Sequence, residues 1–231
     1  MSSIYETLCD LPLFKGVSQR RMMQTVGAYK FHFLKYPADE LIFRAGEQCG
    51  DIAFVISGSV RVVLRDDSRR LTVEQTLTGP DVISPDFVYG RVTAYPGDVL
   101  AATESASILR IAKADFIEIL RSDPIYLLNY VNLLSMDAQK GIKGIMALGT
   151  GDLAERIAFW ICTLTQARST DIRLHVSRRD LASMFGVQRT SLNATLNRLA
   201  AEGVISYTDD TITVADRRPL LDRLFDPAEG E

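Results

Sequence analysis

Apolar and polar positions along the chain fall into three textures. From about residue 3 to residue 28 they recur at helical spacing in short pieces. Leu11-Pro12-Leu13-Phe14 is a turn-like break, and Ser18 is placed to cap a helix over Gln19 to Ala28. From Phe31 to about Ile111 the apolar residues come in short β-branched and aromatic runs: Leu41-Ile42-Phe43, Ile52 to Ile56, Val60 to Leu64, and Leu71 to Leu77. Breaks at Ala45-Gly46-Glu47, Ser57-Gly58-Ser59, Asp66-Asp67 and Thr78-Gly79-Pro80-Asp81 fall at strand-and-turn spacing. That pattern predicts an antiparallel β-barrel or sandwich of roughly eight strands.

After Ala114-Asp115-Phe116 the period becomes helical, and Pro124 opens a long segment with no further proline before Pro219. Leu127, Val131, Leu134, Ala138, Gly141, Ile145 and Leu148 recur in alternating steps of four and three, a heptad-like seam. Leu128, Met136 and Ile142 add apolar surface beside it, more than one seam requires. One side is available to the β-domain and the other to a second copy of the chain. A core helix in a monomer is the alternative reading. Gly149-Thr150-Gly151-Asp152 reads as a hinge, with Asp152 as cap of a helix from Leu153 to about Gln166. Ile157, Trp160, Ile161 and Leu164 share a face of that helix, and Cys162 reads as a small buried apolar residue.

Between Ser177 and Val214 the signals are dense. Ser177-Arg178-Arg179-Asp180 is a capping-box-like start, with Asp in place of Glu. Leu181, Ala182 and Met184-Phe185 give a short helix its apolar face, Gly186 ends it, and Val187 turns inward. A second helix from about Arg189 to Ala201 has Leu192, Leu196 and Leu199 inward and Gly203 as its stop. Val204 to Tyr207, Thr208-Asp209-Asp210 and Thr211 to Val214 form a hairpin. Helix, tight turn, helix, hairpin is a winged helix-turn-helix, whose second helix enters a DNA major groove. Its outward positions, Gln188, Arg189, Thr190, Asn193 and Asn197, are the candidate base readers. Arg grips guanine through two hydrogen bonds, and Asn or Gln does the same to adenine. Ser177, Arg178, Arg179, Ser191 and Arg198 are candidate phosphate contacts.

Charge sharpens this picture. The chain of 231 residues carries a formal charge of −3, so no global polycation announces nucleic acid or an anionic membrane. From Arg173 to Arg198, however, five arginines face one aspartate, a local charge of +4 where a phosphate footprint should sit. Two histidines cannot supply a multi-histidine metal site, and the three cysteines, Cys9, Cys49 and Cys162, are too scattered for a zinc knuckle or a disulfide framework. They suit a reducing cytoplasm. The sequence contains no phosphate-binding loop, dinucleotide fingerprint or serine-nucleophile elbow. No run of apolar residues is long enough for a membrane span, and the first ten residues lack a signal peptide's basic and apolar regions. The expectation is a cytoplasmic protein that is not an enzyme, with no cofactor and no metal. His32, in the alternating run Phe31 to Lys35, reads as an ordinary strand histidine. His175 reads as structural or as a phosphate neighbour. Arg61, Arg65, Arg69 and Arg70, beside Asp66 and Asp67, read as a solvated hairpin surface.

The order of parts resembles the Crp/Fnr family of bacterial transcription regulators. The local matches are Lys35-Tyr36-Pro37, Gly46-Glu47, Ile56-Ser57-Gly58-Ser59-Val60 and Gly186-Val187-Gln188-Arg189-Thr190-Ser191-Leu192. The likeness covers the chain from about Leu13 to Val214. It implies an α+β architecture: an N-terminal cyclic-nucleotide-binding-like β-roll, a long dimerisation helix and a C-terminal winged helix-turn-helix. The corresponding domains are 1–122 for effector sensing, 123–149 for dimerisation and 150–231 for DNA binding. The partners implied are double-stranded DNA at an inverted repeat, a second copy of the chain, and RNA polymerase.

The resemblance places Arg189 on the family's guanine-reading arginine. The acidic residue that usually follows it is Thr190 here, and the second basic reader is Ala194, so base preference should differ. The sensing site departs further. Family members that bind cAMP carry Gly-Glu and Arg-Ser pairs around a phosphate turn; this chain has Pro85-Asp86 and Pro96-Gly97. Arg91 is the only nearby arginine, Asp98 would repel a phosphate, and Gly141-Ile142 stands where purine-contacting hydroxyls are expected. These departures argue against cAMP and leave the effector unidentified. A pocket, where one exists, is expected around Ser84, Asp86, Tyr89, Arg91 and Tyr95, with Gly141 and Ile142 from the long helix. The rival reading is a small-molecule binding protein of cyclic-nucleotide type whose C-terminal domain mediates protein contacts. The local +4 favours DNA.

Overall fold

The computed structural model describes residues 4–225, with the backbone alone at 4, 140, 141, 143–150 and 222–225. The chain divides into two compact units, Met1–Arg61 with Leu77–Met136, and Val62–Thr76 with Asp137–Glu231.

The first unit opens with α1 (Ile4–Cys9), a 3-10 turn at Pro12–Phe14 and α2 (Gln19–Ala28). Ser18 caps α2, its hydroxyl accepting the Arg21 N–H at 3.4 Å. Eight strands follow: β1 (His32–Pro37), β2 (Leu41–Phe43), β3 (Asp51–Ser57), β4 (Ser59–Arg65), β5 (Thr72–Thr78), β6 (Asp81–Ile83), β7 (Asp98–Ala101) and β8 (Ser105–Ala112). β1, β8, β3 and β6 make one antiparallel sheet in that order, and β2 pairs with β7. Ile52 to Val55 in β3 are buried on both faces, as a central strand requires, while β1 is almost wholly exposed, His32 included. The β3–β4 turn needs Gly58: its φ is 75°, and a Cβ there would lie 2.5 Å from the Ser105 carbonyl.

α3 (Lys113–Ser122) and the start of α4 (Pro124–Thr150) close the core. Phe14 sits at its centre, edge-on to Tyr126 at 5.6 Å and to Phe54 at 6.3 Å. Tyr126 and Tyr130 are four apart, so one stripe of α4 packs on this core. Tyr126 shares a hydrogen bond with the Thr25 hydroxyl at 3.0 Å, and Asn129 donates to the Leu13 and Lys15 carbonyls at 2.8 Å each.

The second unit contains α5 (Leu153–Leu164), β9 (Thr170–His175), α6 (Arg178–Phe185), α7 (Arg189–Ala201), β10 (Ser206–Tyr207), β11 (Thr211–Asp216) and α8 (Arg218–Phe225). Asp152 and Glu155 form a reciprocal capping box at the start of α5. α5 ends two residues earlier than its sequence pattern implied, because Thr165 is extended and turns its hydroxyl back onto the Ile161 carbonyl at 2.8 Å. Past Thr165 the side chain of Arg217, 2% exposed, donates to the Cys162 carbonyl, a cation at the negative end of the α5 dipole.

β9, α8 and the partners of β9 went unread in the sequence. β9 pairs antiparallel with β11 on one side and with β5 on the other, so the β4–β5 hairpin supplies the wing sheet with a further strand. The pairing is seated as well as hydrogen-bonded. Val73 is buried in the same core as Ile172, Leu174 and Val214, and the buried Gln75 side chain accepts the Gln166 N–H at 2.7 Å.

Candidate nucleic-acid interface

Two helices and a glycine build this surface. Ser177 caps α6, accepting the Asp180 N–H at 3.1 Å while its hydroxyl donates to the Asp180 carboxylate at 2.5 Å. Gly186 ends α6 in the left-handed region, φ 64°, and Val187 donates back to the Ala182 carbonyl at 3.0 Å. Arg156 locks this corner from below, donating to the Phe185 carbonyl at 2.8 Å, and Trp160 meets the Phe185 ring edge-on at 5.8 Å. The chain therefore leaves Gly186 in one fixed direction, straight into α7.

α7 is divided cleanly. Leu192, Leu196 and Leu199 are buried in the core. Gln188, Arg189, Thr190, Ser191, Ala194, Asn197 and Arg198 are exposed, and Asn193 is half-buried. The first turn holds no acid, so the positive end of the α7 dipole stands beside Arg189 unopposed. Among the described residues, Arg189 and the exposed Arg179 of α6 make no ion pair.

Other candidate contacts are engaged. Arg178 donates to the Thr208 carbonyl at 3.3 Å, pairs with Asp209 at 3.0 Å and lies over the Tyr207 ring at 5.0 Å. The Tyr207 hydroxyl donates to Asn197 at 2.6 Å. These two side chains hold the wing against α6 and α7. Arg198 is paired with Asp152 at 2.6 Å. Burial works to raise the Asp152 carboxyl, but the Glu155 amide and the Arg198 guanidinium outweigh it and hold the group below its ordinary value. Sequence reading gave no sign of these three ties, since each joins residues far apart in the chain. The acidic wing tip, Asp209-Asp210, was in plain view and its charge went unweighed.

The candidate effector residues sit in both units. Ser84 is buried in a left-handed conformation, φ 44°, and Tyr95 is buried and stacked on Phe43 at 4.1 Å. Asp86 and Arg91 are exposed, while Tyr89 is half-buried with its hydroxyl on the Lys113 carbonyl at 3.2 Å. The Tyr130 hydroxyl donates to the Pro85 carbonyl at 2.9 Å, and burial pushes its pKa above the ordinary tyrosine value. Asp98 is occupied by the turn that follows β2, accepting the Ala45 N–H at 2.9 Å. Gly141 and Ile142 belong to the second unit; Ile142 is exposed, and residue 141 is described by its backbone alone.

Along α4, Leu127 and Val131 are 47% and 45% exposed, Ala138 is exposed, and Leu134 is half-buried. Leu128 and Met136 are exposed beside them. The side chains of Ile145 and Leu148 lie outside those described. Tyr89, Ile117, Leu120, Leu127, Val131 and Leu134 line an open apolar groove of about 370 Å³.

A recognition helix with a short polar outer face, a glycine-set turn beneath it and a hairpin braced against it define a winged helix-turn-helix DNA-binding protein. Residues 155–223 match the Crp-like helix-turn-helix domain family, and residues 33–123 match the cyclic nucleotide-binding domain family. The chain belongs to the Crp/Fnr family of transcription regulators. It is 22% identical over 194 residues to the cAMP-activated global transcriptional regulator CRP of Pasteurella multocida, covering 81% of this chain and 91% of that one. It is also 22% identical over 195 residues to the cAMP-activated global transcriptional regulator Vfr of Pseudomonas aeruginosa, covering 81% of this chain. The Catabolite Activator Protein of Thermus thermophilus shares the fold, with a TM-score of 0.52 and 20% identity over 94% of this chain and all (100%) of that one. Among the described residues, no helix is long and apolar enough to cross a membrane.

Proposed function

We propose that this chain is a cytoplasmic, non-enzymatic transcription regulator that binds an inverted-repeat DNA site as a homodimer, with Arg189 reading a guanine in each half-site. The observation that carries the reading is the division of α7. Three buried leucines fix its orientation, and Arg189 stands exposed in the first turn and, among the described residues, without an ion pair. Guanine offers two major-groove acceptors that match a guanidinium. Gln188, Thr190, Asn193 and Asn197 complete the reading face, Asn197 while also holding Tyr207. Ser177, Arg178, Arg179, Ser191 and Arg198 supply or orient the phosphate contacts.

Dimerisation is supported by the exposed seam Leu127, Val131 and Ala138, continued in sequence by Gly141, Ile145 and Leu148, with Leu134 lining the apolar groove beside it. Family resemblance supports RNA polymerase as a partner. The effector of the N-terminal domain is not cAMP in this reading, because Pro85-Asp86 and Pro96-Gly97 remove the groups a cyclic phosphate and ribose need. Selection of bound duplexes from a random library, followed by sequencing, tests the whole. The expected result is a two-fold symmetric motif with an invariant G·C pair in each half. Recovery of no motif, or of a single unrepeated half-site, overturns it.

A further inference from the structure

The wing sheet has two tips at one end, and only one belongs to the wing. Thr211 of β11 and Thr72 of β5 both stand opposite His175, the last residue of β9. The turn before Thr211 and the turn before Thr72 therefore leave the sheet at the same end, where His175 leads through Val176 to the Ser177 cap of α6. Two strand spacings put the two strand starts about 10 Å apart.

The tips differ in charge: Asp209-Asp210 is purely acidic, whereas Asp66 and Asp67 are balanced by Arg69 and Arg70. The wing tip carries Asp209 and Asp210; the Asp209 side chain is 94% exposed, and its cation, Arg178, is already held by Thr208 and Tyr207. Such a tip repels a phosphate backbone. The neighbouring tip carries Arg69 and Arg70, both exposed, and among the described residues neither guanidinium is paired.

That second tip is also preorganised. The Asp66 carboxylate is turned inward on its own loop, accepting N–H groups from Ser68 at 3.2 Å and Leu71 at 2.7 Å. The Ser68 hydroxyl and these amides keep it ionised below the usual carboxylate range, so it is spent on the turn. Arg69 donates its N–H to the Asp66 carbonyl at 2.9 Å and adopts a left-handed φ of 55°, a position that favours glycine or asparagine. Val73 and Gln75 anchor the finger in the same unit as α7.

We infer that the Asp66–Leu71 turn is a second wing, a finger that lays Arg69 and Arg70 on the DNA backbone beside the acidic wing. The inference rests on the DNA-binding reading above. The test uses the full chain on its selected duplex, comparing wild type with the Arg69→Gln/Arg70→Gln double variant, which keeps the turn and the strand. Each lost phosphate contact lowers the salt exponent by about 0.9, so two contacts shrink the affinity ratio between about 50 and about 200 mM salt by about 12-fold per chain. Hydroxyl-radical protection should vanish over one short backbone stretch, with guanine protection and melting temperature unchanged. Asp67→Lys should move the salt exponent the other way. A double variant with wild-type salt dependence and footprint overturns the second wing while leaving the reading of α7 intact. A wild-type chain that binds no duplex overturns both.

Discussion

Arg178 and Arg189 stand eleven positions apart, each at the first position of its helix, α6 and α7, and their surroundings give them opposite behaviour. Arg189 is exposed and, among the described residues, without an ion pair, so Arg189→Ala should leave unfolding free energy within about 0.5 kcal/mol of wild type. Its effect should fall on base preference. Losing a bidentate guanine contact costs about 1–3 kcal/mol, hence about 2–6 kcal/mol for two half-sites, or about 30-fold to about 10⁴-fold in affinity. Arg178 is tied to the wing instead. Its ion pair with the almost fully exposed Asp209 contributes close to nothing. Its contact with Tyr207 and its bonds to the Thr208 carbonyl together contribute about 1 kcal/mol. Arg178→Ala should therefore free the wing: amide exchange at Tyr207 to Thr211 should quicken about fivefold. Its DNA binding should weaken on all sequences alike. Competition binding against duplexes with the guanine replaced, beside hydrogen exchange on the free protein, measures both. Unchanged wing exchange in Arg178→Ala, or a shifted base preference in both variants, refutes the assignment.

Leu127 and Val131 are exposed within one chain, so replacing both with Asp should leave the fold intact and give monomers in sedimentation; a wild-type chain that is already monomeric at micromolar concentration defeats the seam. Asp152→Ala removes the α5 cap and the partner of Arg198, and should cost about 1–2 kcal/mol in urea unfolding near neutral pH. Because the folded Asp152 carboxyl lies below its ordinary value of 3.8, this stabilisation is full above that pH and is lost as pH falls through the folded value. A penalty that persists undiminished in acid would mean the charge of Asp152 contributes nothing.

Elements governed by local chemistry were legible in the chain. Ser18, Asp152, Ser177 and Gly186 sit where their capping roles require, and the three leucines of α7 face inward as their spacing dictates. β9 was missed although Ile172, Leu174 and Val176 alternate with polar residues, because its lead-in, Ser169-Thr170-Asp171, reads as loop. Its pairing with β5 had no sequence signal at all, since register between distant strands is set by shared burial. The same limit hid the roles of Arg178 and Arg198. Both read as phosphate contacts by charge alone, and both are drawn to acids brought near only by folding.

The strand that β5 lends to β9 also sets a timetable. Thr72 and His175 are about a hundred residues apart, which at about 5–20 residues per second is about 5–20 s of synthesis. During that interval the hairpin is made but its partner is not, and Val73 must wait on an unpaired sheet edge. Contacts of such separation slow folding, and an open apolar edge recruits strands from other chains. A fragment beginning after residue 151 would inherit the complementary fault, with β9 bare on one side and the Val73 place in its core vacant. The second unit of this protein is therefore not a module that can be cut out after residue 151. One of its strands is translated long before the rest of it exists.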